Sequence, residues 1–116
     1  MSNSRIIINS SEDLENHYKE YISTINKLPN SSLDLYLSNS INHNDKLLNK
    51  KEYHQLIIPN SNFKIMEIIS DLDKRIIASR LDITLGNNGK KVKEIVFYKL
   101  NDYWEIERVW SIVEFL

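Results

Sequence analysis

The chain has 116 residues and a mass of 13.7 kDa, one domain's worth of polypeptide. With 41% apolar and 27% charged residues it is a globular rather than a disordered sequence. Fifteen Lys and Arg against sixteen Asp and Glu leave a net charge of -1. That balance excludes the concentrated positive field of an electrostatic nucleic-acid or anionic-membrane binder. The absence of cysteine removes disulfide frameworks, thiolate zinc sites and cysteine nucleophiles.

The apolar run Ile6-Ile7-Ile8 is far too short for a signal peptide, and no window approaches the roughly eighteen apolar residues of a membrane helix. A single-domain cytoplasmic protein is expected over residues 1–116, with 1–9 read as an extra strand or a flexible arm. Ser10 or Ser11 is placed to cap a helix, with Glu12 and Asp13 in its first turn. Leu14, Tyr18, Tyr21, Ile22 and Ile25 recur at helical spacing, and Leu28-Pro29-Asn30 ends the segment. A shorter helix is predicted from Ser31 or Ser32, burying Leu33, Tyr36 and Leu37. The polar stretch Asn39–Asp45 then reads as turn, and Asn49 caps a third helix from Lys50 to about Ile58.

From Phe63 the hydrophobic period becomes two. The runs Phe63–Ser70, Arg75–Leu85, Lys91–Leu100 and Trp104–Phe115 are rich in β-branched and aromatic residues and separated by turn sequences. Gly86 and Gly89 share the longest of these turns, where a positive φ is expected. Strands joined this tightly are antiparallel. The pattern predicts an α+β fold, three helices covering one face of a four-stranded antiparallel sheet.

Several stretches together resemble the SnoaL-like branch of the NTF2-like superfamily. They are the pair His43-Asn44, the basic helix holding Glu52-Tyr53, the segment Asp73–Arg80, Phe97-Tyr98 before an Asn-Asp turn, and the closing strand Ile106–Glu114. The resemblance spans about residues 10–116 and rests on the order and spacing of these motifs. Arg108 stands where the family commonly has glutamate, Glu114 where it has aspartate, and Tyr103-Trp104 replaces the usual glycine before the last strand. The resemblance implies an NTF2-like (cystatin-like) cone, a curved sheet wrapped around the long helix with a pocket inside. Family members include cyclases, dehydratases and isomerases, and also binding modules without chemistry.

On the last strand, alternation puts Ile106, Arg108, Trp110, Ile112 and Glu114 on one face, assigned to the concave side for its bulky residues. A carboxylate on such a wall has a raised pKa, making Glu114 a candidate general acid or base; otherwise it is a solvated strand-end charge. Arg80 and Asp82 share a face of the second strand, as an anion-holding and basic pair or as ordinary charges exchanged with Glu67 or Glu94. His43 falls where the family often has a pocket-mouth histidine and could relay protons, or it is a surface turn residue. His17 and His54 read as helix-surface residues. Tyr36, Tyr53, Tyr98, Trp110 and Arg108 are candidate ligand contacts, the aromatic ones serving equally well as core. The histidines lack metal-ligand spacing, and neither a metal nor a cofactor is expected.

Two functions follow as expectations. One is a pocket for a small, partly apolar molecule, with cofactor-free proton transfer beside a carbonyl by Glu114, Asp82 and His43, and Arg80 or a tyrosine holding the oxyanion. The other is a non-catalytic homodimer formed through the exposed sheet face, with Glu105, Glu107, Val109, Ser111 and Val113 as the outward row.

Overall fold

A computed structural model describes residues 6–116, so only positions 6–9 of the expected N-terminal arm can be placed, and they form no strand. Helix α1 runs Ser11–Ile25. Its Ser10 cap accepts the Asp13 N–H at 3.1 Å, and the Asp13 carboxylate accepts the Asn9 N–H at 3.0 Å. The buried stripe is Leu14, His17, Tyr18, Tyr21, Ile22 and Ile25, spaced to cover one side of the helix. His17 therefore belongs to the packed face rather than the surface, and its Nε2–H donates to the Trp104 carbonyl at 3.1 Å.

The expected second helix is a single 3-10 turn, Asp34–Tyr36, and the stretch read as turn is strand β1, Leu37–His43. Only Leu37 and Ile41 of β1 are buried, a spacing of four that suits helix and strand equally. What decides is β6, which offers β1 a parallel pairing edge from far along the chain. Asn44 and Asp45, at φ 47° and 69°, turn the chain directly into β2, Lys46–Asn49. Two central residues with positive φ make the type I′ geometry that matches strand twist. Asn49 then caps α2, Lys50–Gln55, through a reciprocal box with Glu52.

The four expected strands follow as β3 (Asn62–Asp71), β4 (Ile76–Thr84), β5 (Lys91–Leu100) and β6 (Ile106–Phe115). They form an antiparallel meander inside a six-stranded sheet of order β2-β1-β6-β5-β4-β3. The sheet is thus mixed, and larger than the four strands expected. Its inner face, with Ile77, Leu81, Val96, Tyr98 and Val109, joins the α1 stripe in one core. No helix among the described residues is long and apolar enough to cross a membrane.

Two bulges set which side chains face inward. In β3 the register slips between Ile65 and Glu67, so Ile65 and Ile68, three apart, both pair with inward residues of β4. In β6 the slip beside Lys99 and Leu100 makes Ile106 and Val109 both buried. One extra residue reverses the alternation beyond it.

The Asn26 side chain ties the end of α1 to β3, donating to the Phe63 carbonyl at 3.0 Å and accepting its N–H at 2.7 Å. Of the two glycines, only Gly89 has the expected positive φ, 69°. Gly86 is required by close approach: a Cβ there would lie 2.2 Å from the Pro59 carbonyl oxygen. Its N–H donates to Ser61 Oγ at 2.9 Å, docking the β4–β5 turn on the segment entering β3. Gly86→Ala is expected to cost about 1–3 kcal/mol by forcing that backbone apart. Gly89→Ala should cost about 1–2 kcal/mol and Gly89→Asn less, as a left-handed position in open space predicts. Urea midpoints of the three variants check the order.

Candidate active site

A cavity of about 340 Å³ opens between α1, α2, the segment after α2 and the inner face of β4–β6. That volume lies at the small end of ordinary ligand pockets, roughly 300–1,000 Å³. Its depth can be followed along the β5–β6 register. Val92 pairs with Phe115, Glu94 with Val113, Val96 with Ser111, and Tyr98 with Val109. Phe115 is 71% exposed, Val113 41% and Val109 2%, so the mouth lies at the C-terminal end of β6. Leu56, Ile57 and Ile58 close the other side of the mouth, with Phe63 and Ile83 on the β3–β4 wall. Tyr21, Tyr53 and Tyr98 form the buried aromatic floor, and His43 reaches in from the end of β1.

Polar groups on this wall are few. The Tyr21 and Tyr53 hydroxyls are hydrogen-bonded to each other at 3.0 Å, one donating and the other accepting. Two hydroxyls hold two protons and this bond uses one, so the pair keeps a single donor for a ligand. The His43 ring meets the Tyr53 ring edge-on at 6.0 Å. Burial pushes both tyrosines, and Tyr98, well up from the ordinary phenol value, so all three stay protonated at neutral pH. Tyr18, behind the floor, is raised to about 12 for the same reason. Burial lowers the His43 pKa and favours its neutral ring.

Among the described residues Glu94 is the one carboxyl lining the cavity. Burial among apolar neighbours raises its pKa above the ordinary glutamate value, while the nearby Ser111 hydroxyl on the paired strand works in the opposite direction. Asn44 steadies Ser111: its N–H donates to the Val109 carbonyl at 2.9 Å, and its side-chain oxygen accepts the Ser111 N–H at 2.9 Å. A half-buried carboxyl with a hydroxyl beside it and phenols below holds its proton more tightly than an exposed glutamate.

The cavity brings together only part of the set expected from sequence. His43, Tyr53 and Tyr98 line it. Tyr36 instead borders a separate void of about 10 Å³ and packs on His17 with ring centroids 5.4 Å apart. Arg108, Trp110, Ile112 and Glu114 lie on the opposite face of β6, because the bulge after Ile106 reverses the alternation assumed for them. The outward row proposed from sequence is reversed too, since Val109, Ser111 and Val113 face the cavity. Glu114 is exposed and stands in register with Lys93. Arg108 lies over the Trp110 ring at 5.1 Å.

Arg80 and Asp82 are likewise on the outer face. Arg80 Nε donates to Glu67 at 2.8 Å, the ordinary cross-strand exchange. Asp82 stands in register between Lys64 and Lys93, with Oδ1 buried and without a hydrogen-bond partner. Neither carboxylate on this face reaches the cavity. Among the described residues no three His, Asp or Glu side chains converge as metal ligands would.

Sequence reasoning treated Glu94 only as a charge partner for the outer face. The signal was present in β5. Lys91, Lys93 and Lys99 mark one side of the strand, leaving Glu94 as the lone acid in the row Val92, Val96, Tyr98, Leu100.

No protein-family model matches the chain, and no curated protein matches it. Solved structures do. An NTF2-like protein of unknown function from Cytophaga hutchinsonii superposes with a TM-score of 0.68 at 15% identity, over 97% of this chain and 95% of that one. The epoxide hydrolase/cyclase-like enzyme SalBIII, from pyran ring formation in the polyether salinomycin, gives 0.73 at 11% identity over 92% and 95%. A steroid delta-isomerase from Pseudomonas aeruginosa gives 0.63 at 12% identity over 96% and 84%. The chain has the NTF2-like fold, in line with its resemblance to the SnoaL-like branch; at these identities the likeness is one of fold.

The raised pKa of Glu94 has a thermodynamic sign. The folded protein holds this proton more tightly than the unfolded chain, so the stabilisation is complete below the ordinary glutamate value of 4.5 and lost as pH rises through the folded value. Glu94→Gln keeps the shape and removes the charge. Its melting temperature should gain on wild type as pH rises above about 4.5, measured by thermal melts from pH 4 to 8.

Proposed function

We propose that the cavity binds a small, partly apolar molecule and exchanges a proton at a carbon beside its carbonyl, without a cofactor. The observation carrying this reading is Glu94, a carboxyl raised in pKa by burial, set above hydrogen-bonded tyrosines in an otherwise apolar chamber. Glu94 takes the α-proton, with Ser111 orienting the carboxylate. The free hydroxyl proton of the Tyr21–Tyr53 pair donates to the carbonyl oxygen as negative charge develops on it. His43 passes protons between the chamber and solvent. Isomerisation, cyclisation and dehydration all begin with this step. The acid–base roles expected of Glu114 and Asp82 pass to Glu94, and the oxyanion role of Arg80 to the tyrosines. A cysteine-free chain suits a cytoplasmic setting.

Deuterium incorporation at the α-carbon of 2-tetralone, followed by NMR in heavy water, tests the chemistry. Exchange should exceed the buffer rate, fall about 10²–10⁴-fold in Glu94→Gln, and persist in Glu114→Gln. Equal exchange by wild type and Glu94→Gln would remove Glu94 from the mechanism.

A second reading, a homodimer through the outer sheet face, is favoured by a different observation. Register places Arg80, Ile95 and Ile112 in one row and Ala78, Phe97 and Trp110 in the next. Ile95 is 63% and Ile112 76% exposed, an apolar patch flanked by charged residues, of the kind that marks an interface. The two readings are compatible, since cavity and patch lie on opposite faces. Light scattering should give a dimer for wild type and a monomer for Ile112→Lys; a monomeric wild type at high concentration refutes the dimer.

A further inference from the structure

The charge inventory of the cavity restricts what can enter it. Among the described residues no Lys or Arg lines the chamber. The groups facing Glu94 are Tyr21 of α1 with Tyr18 behind it, Tyr53 of α2, His43 of β1, Tyr98 of β5 and Ser111 of β6. None is a fixed cation, and burial favours the neutral form of His43. The lysines of β5 point to the other side of the sheet, in register with outer-face residues of β4 and β6. A negative charge brought into the chamber would meet one carboxyl and no counter-ion.

The order of groups along the depth adds a direction. The Phe115 rim is apolar, Glu94 stands one rung inside it, and the tyrosine hydroxyls lie below. A ligand reaching the free hydroxyl proton must carry its polar atom past Glu94 and leave its apolar end at Phe115 and Leu56, both exposed without it.

Resting on the cavity being a ligand site, we infer that it selects uncharged ligands, oxygen end inward and apolar end at the Phe115 rim, and rejects carboxylates and phosphate esters of the same shape. The selection is electrostatic, not steric. Glu94 adds charge repulsion to the cost of an unpaired anion in the chamber, so removing that charge weakens the selection without changing the cavity's shape.

Calorimetric titration with 2-acetylnaphthalene and 2-naphthoate, a ketone and a carboxylate of closely matched shape, tests this at pH 8. The ketone should bind wild type at least about tenfold more tightly, a gap on the order of 1.4 kcal/mol. In Glu94→Gln the gap should shrink several-fold through tighter naphthoate binding. Retained ketone affinity would show the variant folded. Equal affinities in wild type, a gap unchanged by the substitution, or no binding of either probe would overturn the inference. Ketone binding without α-exchange would instead refute the catalytic proposal and leave the selection standing.

Discussion

Packing of the α1 stripe against the inner faces of β4–β6 is the contact on which the rest of this structure depends. Tyr18, Tyr21 and Tyr98 meet there with ring centroids 5.1 to 6.3 Å apart, close enough to fix one another's orientation. Their bulk fills the space between helix and sheet at one end. Towards the C-terminal end of β6 the tyrosine cluster gives way to smaller side chains such as Val92, Ser111 and Val113, and the chamber is what remains. The same contact sets the electrostatics, because the tyrosine floor desolvates whatever stands on it. Burial raises Glu94 and the phenols and lowers His43, so one geometric fact accounts for every shifted group in the site.

Bulges decide which chemistry the chamber receives. In a strand, facing alternates with period two, so a single inserted residue moves every later side chain to the other face. Without the slip beside Lys99 and Leu100, a strand anchored by buried Ile106 would carry Arg108, Trp110 and Glu114 inward. With it, Val109, Ser111 and Val113 line the cavity, and the charges of β6 go to the outer face. Glu94 and Glu114 lie on paired neighbouring strands yet differ wholly in surroundings, one among aliphatic and aromatic walls, the other exposed opposite Lys93. The side of the sheet, not the residue type, separates a carboxyl whose pKa is raised by burial from a surface charge.

The outer face accordingly has its own character. Lys64, Asp82, Lys93 and Glu114 form one charged row, and Arg80 with Glu67 closes another beside the exposed isoleucines. Segregating an apolar patch with alternating charges from a nearly uncharged chamber gives one small sheet two unlike surfaces. Each can serve a separate purpose without disturbing the other.

Local sequence determined much of this protein. The capped α1 with its stripe, the Asn49 cap of α2, the four long strands and their tight turns were all legible, because each is specified by residues close together in the chain. So was the lone acid in the inward row of β5, for a reader who let Lys91, Lys93 and Lys99 define the outside. What only tertiary structure decided were the features whose cause lies far away in sequence. Strand β1 exists because β6 offers an edge to polar residues that would otherwise form a loop. The inward set of β6 depends on a bulge that no periodicity marks. His17 is buried because the Trp104 carbonyl meets it, and Gly86 is needed because Pro59 crosses close by. Short-range patterns carry propensity and period; register, bulges and backbone approaches arise only when distant segments pack together.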